Sequence, residues 1–153
     1  MNAEFYNYQN VKVRLPDLVF YLAGEPRHGV VDSLYDGLFV ECKIIDAPKS
    51  KDVGKYCTKG LFRFVIGDYG WRMPQGMMCA YVRDSHMIPK ALDDYFLKTE
   101  AAKALNLIDR RLARSTLNSF SPHVYVSRHD RSWTFSDGTP PGEIAVRHMW
   151  LQV

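Results

Sequence analysis

Short apolar runs alternate with polar, Gly- and Pro-marked connections along this chain. The run "VRLPDLVFYLAG" (13–24) is rich in β-branched and aromatic residues and closes on Gly24, which reads as a strand. "EPRHGVVDSLYDG" (25–37) holds Pro, Gly and Asp and reads as a long connection. "LFVECKIID" (38–46) predicts a second strand, and "APKSKDVG" (47–54) is polar. "KYCTKGLFRFVIGDYGWRM" (55–73) enters as a helix and ends in Gly-marked turns, and "GMMCAYVRD" (76–84) predicts a third strand. The clearest helical pattern spans 89–117. Pro89 suits a first turn, Asp94 and Lys98 stand four apart, and Leu105, Ile108 and Leu112 keep helical spacing. Two late strands, "HVYVSRHDRSWTF" (123–135) and "EIAVRHMWLQV" (143–153), flank the turn signal "SDGTPPG". This order predicts one domain over residues 1–153, α/β or α+β, with a central mixed β-sheet flanked by helices, and α/β is the class adopted.

Composition narrows the class. A chain of 153 residues is enough for one domain with a real core. Hydrophobic content of 46% with 13% aromatics points to a globular protein. No run approaches the roughly 20 apolar residues that span a bilayer, and the opening "MNAEFYNYQN" lacks the basic and apolar regions of a secretion signal. Cys42, Cys57 and Cys79 are an odd set without CxxC or Cys/His ligand spacing. That argues against a disulfide framework or a zinc site and favours a reducing cytoplasm. The net charge of +3 permits a polyanionic partner without requiring one.

The chemistry concentrates in the second strand. Alternation sends Val40, Cys42 and Ile44 to one face, read here as the core side, and Phe39, Glu41, Lys43 and Ile45 to the other. An ion pair on a half-exposed strand explains Glu41 and Lys43 by themselves. The first strand adds Asp17, directly after Pro16, which is tolerated at a strand start. A hairpin of residues 17–22 with 38–45 brings Asp17 near Glu41. Two carboxylates together repel, and a divalent cation relieves that repulsion; oxygen ligands suit Mg²⁺ or Mn²⁺. Such an ion activates water and neutralises phosphoryl charge, and Lys43 would stabilise the transition state.

Pro16-Asp17 followed by Glu41-x-Lys43 resembles the PD-(D/E)xK nuclease superfamily, the restriction-endonuclease-like fold. The stretch from Glu41 to Asp84 is also similar to uncharacterised bacterial restriction-like proteins, so the resemblance covers about residues 13–84. It implies an αβββαβ core and Mg²⁺- or Mn²⁺-dependent hydrolysis of phosphodiesters, DNA before RNA, in restriction or phage defence. It implies Asp17, Glu41 and the backbone carbonyl of Cys42 as metal ligands, with Lys43 as catalytic lysine. A homodimer or a partner subunit is the expected assembly. The family's first helix often carries another acid. Only 16 residues precede Asp17 here, with Glu4 as the available acid, and Asp36 or Asp32 are the fallback ligands.

Basic residues supply candidate nucleic-acid contacts: Arg63 after the second strand, Arg110, Arg111 and Arg114 at the end of the long helical pattern, and Arg128 and Arg131 beside Trp133. Each also has a plain reading as a solvated or helix-terminal cation. Tyr56 and Gln75 are similarly divided between site accessory and ordinary structure. His123, His129 and His148 are too scattered for a ligand set. Two rival functions stand beside the nuclease: a catalytically inactive nuclease-fold subunit that binds nucleic acid or protein, and a hydrolase of a small phosphorylated substrate.

Overall fold

The computed structural model describes residues 5–21, 35–115 and 123–153. Two short strands, β1 (Phe5–Tyr6) and β2 (Lys12–Val13), form an antiparallel hairpin. A six-stranded mixed sheet follows, with spatial order β3-β4-β5-β8-β7-β6. Its strands are β3 (Leu18–Tyr21), β4 (Gly37–Ile45), β5 (Gln75–Val82), β6 (Ala113–Arg114), β7 (Val124–His129) and β8 (Ile144–Gln152). β4, β5 and β8 are mutually parallel, whereas β3 and β7 run against their neighbours. No described helix is long and apolar enough to cross a membrane.

The β4–β5 crossover is helical. α1 (Val53–Tyr56) runs through a π-helical turn (Cys57–Leu61) into α2 (Phe62–Val65). Asp52 starts it, its carboxylate accepting the Lys55 N–H at 2.8 Å. Gly60 sits in the π-turn where a Cβ would lie 2.4 Å from Met78 Cε, so a side chain here would push the end of Met78 aside, whereas Lys43 Cε, at 3.5 Å, would be in ordinary contact.

That helix fixes which face of β4 is the core. Phe39 and Ile45 are buried in one apolar cluster with Leu61, Phe64, Met78, Ala80, Val146 and Trp150. Expectation placed Val40, Cys42 and Ile44 on the core side. Instead, the face carrying Glu41 and Lys43 is the one under the helix, and Cys42 and Ile44 are half-buried. Both faces of β4 are mostly apolar, so alternation alone does not say which one is covered.

The helical pattern over 89–117 is corrected. α3 (Lys90–Phe96) and α4 (Thr99–Ala104) are separate, broken at Lys98 by an extended ψ of 124°. Asn106, at φ 45°, turns the chain away. Beyond it the chain follows β7: Ile108 N–H donates to Arg128 O (3.0 Å) and Ser115 N–H to Val124 O (2.9 Å). The open edge of β7 wins over helical spacing because its unpaired backbone groups need partners. The expected Asp94–Lys98 pair is replaced by Lys90–Asp94 at 2.6 Å. The strand expected over 13–24 is interrupted between Val13 and Leu18, and residues 22–24 lie outside the described residues.

A chain of buried polar groups crosses the core. Tyr56 Oη bonds His148 Nδ1 (2.8 Å), and Ser127 Oγ bonds both His148 Nε2 (2.7 Å) and His129 Nε2 (2.6 Å). His129 Nδ1 reaches Leu105 O at 2.7 Å. A carbonyl only accepts, so His129 Nδ1 carries the proton and its Nε2 accepts from Ser127. His148 Nε2–H then donates to Ser127, and Tyr56 donates to His148 Nδ1. Every link is satisfied with both imidazoles neutral. Burial pushes His129 down to about 4 and His148 down to about 3, the latter helped by His129. The Trp150 indole stacks edge-on to Tyr56, and its buried N–H is within electrostatic reach of the phenol oxygen but not in hydrogen-bond geometry.

Neutral histidines in the folded state set an acid limit. Their folded values lie below the ordinary 6.5, so the stability they contribute is complete above pH 6.5 and is lost as pH falls towards 4. The expected loss by pH 5 is roughly 2 kcal/mol per histidine. Urea denaturation at pH 7.5 and 5 checks this: His148→Gln should be less stable than wild type at pH 7.5 and should lose less on acidification. Parallel losses in both proteins would refute the assignment.

Candidate functional site

Asp17 stands one residue before β3. The register pairs Leu18 with Val40 and Val19 with Phe39, so one further step sets Asp17 opposite Glu41. Here the strand pairing ends in a side chain: the Cys42 N–H donates to Asp17 Oδ2 at 2.7 Å. Pro16 is buried and Asp17 exposed, so the carboxylate is held by its bond while remaining open to solvent. Upstream, the Tyr69 hydroxyl donates to Leu15 O (3.2 Å) and the Trp71 indole to Tyr6 O (3.2 Å). Tyr8 stacks on Trp133 with centroids 3.9 Å apart. The stack lies against Gly67, whose φ of 79° and lack of a Cβ make room for both rings. The segment entering β3 is thus tied down from several sides.

Glu41 is only 5% exposed. Burial raises its pKa; Lys43 pulls it back, Asp17 pushes it up and Arg63 lowers it. Lys43 shares its face of β4. Its ammonium donates to Glu41 Oε1 and, at 3.1 Å, to the carbonyl oxygen of Cys42. Arg63, on α2, is close enough to act electrostatically on Glu41. Its guanidinium lies 5.3 Å from the centre of the Tyr69 ring, with Asp68 3.8 Å away and Nε bonded to Lys59 O at 3.3 Å. Burial, with Glu41 close by, pushes Tyr69 up to about 12. Tyr69 went unnoticed in the sequence because "GDYGWRM" carries no motif that ties it to Asp17 or Glu41.

The structure therefore brings Asp17, Glu41, Lys43 and Arg63 together. Two carboxylates and the Cys42 carbonyl make an all-oxygen donor set that fits a hard divalent cation. Among the described residues no group of three or more His, Cys, Asp or Glu side chains could hold a metal, so beyond the two carboxylates the protein offers that carbonyl and the remaining positions would fall to water or substrate. The Cys42 thiol is pushed up to about 11, by burial first and then by Cys79, its partner in register on β5. So high a value gives little thiolate for nucleophilic chemistry.

Other candidates fall elsewhere. Asp36 pairs with Arg72 at 2.9 Å and lies five positions before Glu41, roughly 16 Å along an extended strand. Asp32 and Glu4 lie outside the described residues. Arg110 and Arg111 are exposed beyond α4, and Arg114 is exposed in β6, so none of them caps a helix as expected. Arg128 bridges Glu143 (2.6 Å) and Asp109 (3.7 Å). Arg131 is corrected from a nucleic-acid contact to a buried clamp: 5% exposed, it donates to the carbonyls of Trp71, Met73, Pro141 and Gly142. Tyr56 is fully buried on His148, and Gln75 accepts from Arg147 at 2.6 Å. Two clefts of about 420 and 400 Å³, one beside His86 and Tyr95 and one beside Tyr8 and Trp133, do not include the Asp17–Glu41–Lys43 cluster.

Comparison with protein-family models, curated proteins and solved structures finds no match to this chain.

Removing the lysine leaves a buried carboxylate without its cation. Lys43→Met should lower stability by about 1–3 kcal/mol at pH 7.5. Losing the strongest downward influence raises the folded pKa of Glu41 further above its ordinary value. Stability is then regained as pH falls through that raised value. Urea midpoints for wild type and variant at pH 7.5 and 5 test this, and a deficit that does not shrink at pH 5 would exonerate Glu41.

Proposed function

We propose that this chain is a metal-dependent nuclease with a restriction-endonuclease-like core, hydrolysing phosphodiester bonds of DNA with Mg²⁺ or Mn²⁺. The observation that carries the reading is the placement of Asp17 and Lys43 on either side of Glu41, with the Cys42 N–H fixed on Asp17 and the Cys42 carbonyl turned to Lys43. A parallel β4–helix–β5 crossover after the Glu-x-Lys strand supports it further. Asp17, Glu41 and the Cys42 carbonyl would hold the ion, which when bound supplies an acidified water and charge neutralisation. Lys43 offers its ammonium to the charge that builds on the phosphoryl oxygens. Arg63 extends the cationic edge and positions the neighbouring phosphate. Restriction or phage defence in a bacterial or phage cytoplasm, as a homodimer or with a partner subunit, is the setting this reading implies.

A second reading has its own support: the described segment before Asp17 is the β1–β2 hairpin, where the resemblance implies an acid-bearing helix. A two-carboxylate site on that scaffold suits an inactive subunit that binds nucleic acid or a partner protein.

Cleavage of plasmid and single-stranded DNA with Mg²⁺, Mn²⁺ or EDTA separates the two. Wild type should cut with metal and not with EDTA. Lys43→Met should lose at least about 100-fold in rate, the scale of losing one charge-stabilising donor. Arg63→Ala should weaken DNA binding and flatten its salt dependence by about one phosphate contact. Binding without cutting under every metal would favour the inactive subunit.

A further inference from the structure

We propose that Lys43 is the resident cation of the metal site: in the free protein its ammonium occupies Glu41 Oε1 and the Cys42 carbonyl, and it yields both to a divalent ion. The inference rests on the nuclease reading above and concerns how that site is switched on.

Geometry makes the point first. The ammonium is not spread over solvent or aimed past the strand. It donates to two oxygens, Glu41 Oε1 and Cys42 O, that belong to the candidate ligand set. A hard cation bound to those oxygens would face a like charge close by, a repulsion that is relieved when the lysine moves away. Asp17 Oδ2 is committed to the Cys42 N–H, whereas no bond among the described residues occupies Oδ1. The site is therefore partly filled by the protein's own cation and partly open.

Burial gives the reason for such a cation. Glu41 is 5% exposed and needs a positive partner whether or not metal is present. The Lys43 side chain is 25% exposed, so its stem keeps a path towards solvent. A flexible four-carbon stem lets the ammonium swing while its backbone stays fixed in β4. One consequence is an order of events: Lys43 is tied to Glu41 until the divalent ion takes its place, and only then is it free to meet a phosphate.

Two measurements test the exchange. Calorimetric titration with Mn²⁺ compares wild type with Lys43→Met. Acetic anhydride labelling of wild type, read by peptide mass at Lys43 with and without Mn²⁺, reports whether the amine is released. The variant should bind Mn²⁺ at least about fivefold tighter, the lower end of a site-to-site coupling. Mn²⁺ should raise labelling of Lys43 while leaving Lys49, Lys90 and Lys103 unchanged. Equal affinities, or labelling indifferent to Mn²⁺, would overturn the exchange and leave the metal site standing. Absence of Mn²⁺ binding in both proteins would remove the site reading as well. Should Lys43→Met fail to fold, the wild-type labelling alone decides.

Discussion

A carboxylate placed under a helix must be accompanied, and that requirement organises this molecule. Glu41 lies on the covered face of β4, between Phe39 and a lysine, with the π-turn of the α1–α2 helix above. An unpaired charge there would take a sizeable share of the folded state's margin. The i+2 lysine satisfies it, and the glycine of the π-turn seats the helix directly on the neighbouring Met78 side chain. The helix can then stay close to the sheet, burying Leu61, Phe64 and Val65. Polar chemistry and packing are thus one arrangement around β4.

The strands were legible where both ends were punctuated. β4, β5 and β8 begin and end within a residue or two of their sequence expectations because Gly, Pro and Asp bracket compact apolar runs. The proximity of Asp17 to Glu41 was legible too, since a hairpin across residues 17–45 leaves little choice of partner. What could not be read was the side of β4 that faces the core. Val40-Cys42-Ile44 is the more apolar set, yet the covered set contains both charges, and only the position of the crossover helix decides.

The region from Pro89 to Leu112 shows a different limit. Its helical spacing is real for seven residues and again for six, after which long-range pairing with β7 takes over. Such pairing is invisible to local periodicity. The same holds for the histidines. Ser127 and His129 share a face by alternation, but His148 joins them only because β7 and β8 pair in one particular register. The β4–β5 and β5–β8 registers set Glu41, Met78 and His148 in one row. Met78 therefore stands between the ionic cluster and the neutral relay.

The strand order carries a temporal consequence. β8 lies between β5 and β7 in the sheet and follows all the other described strands in sequence. On the ribosome, Asp17, Glu41 and Lys43 are synthesised about a hundred residues before Ile144–Gln152 can close the core around them. Until then β5 has a bare edge and α1–α2 lacks Val146 and Trp150 as packing partners. The groups that would do chemistry are thus present early but unsupported. The molecule gains its working geometry late, at the pace of a distant β pairing rather than of local helix formation.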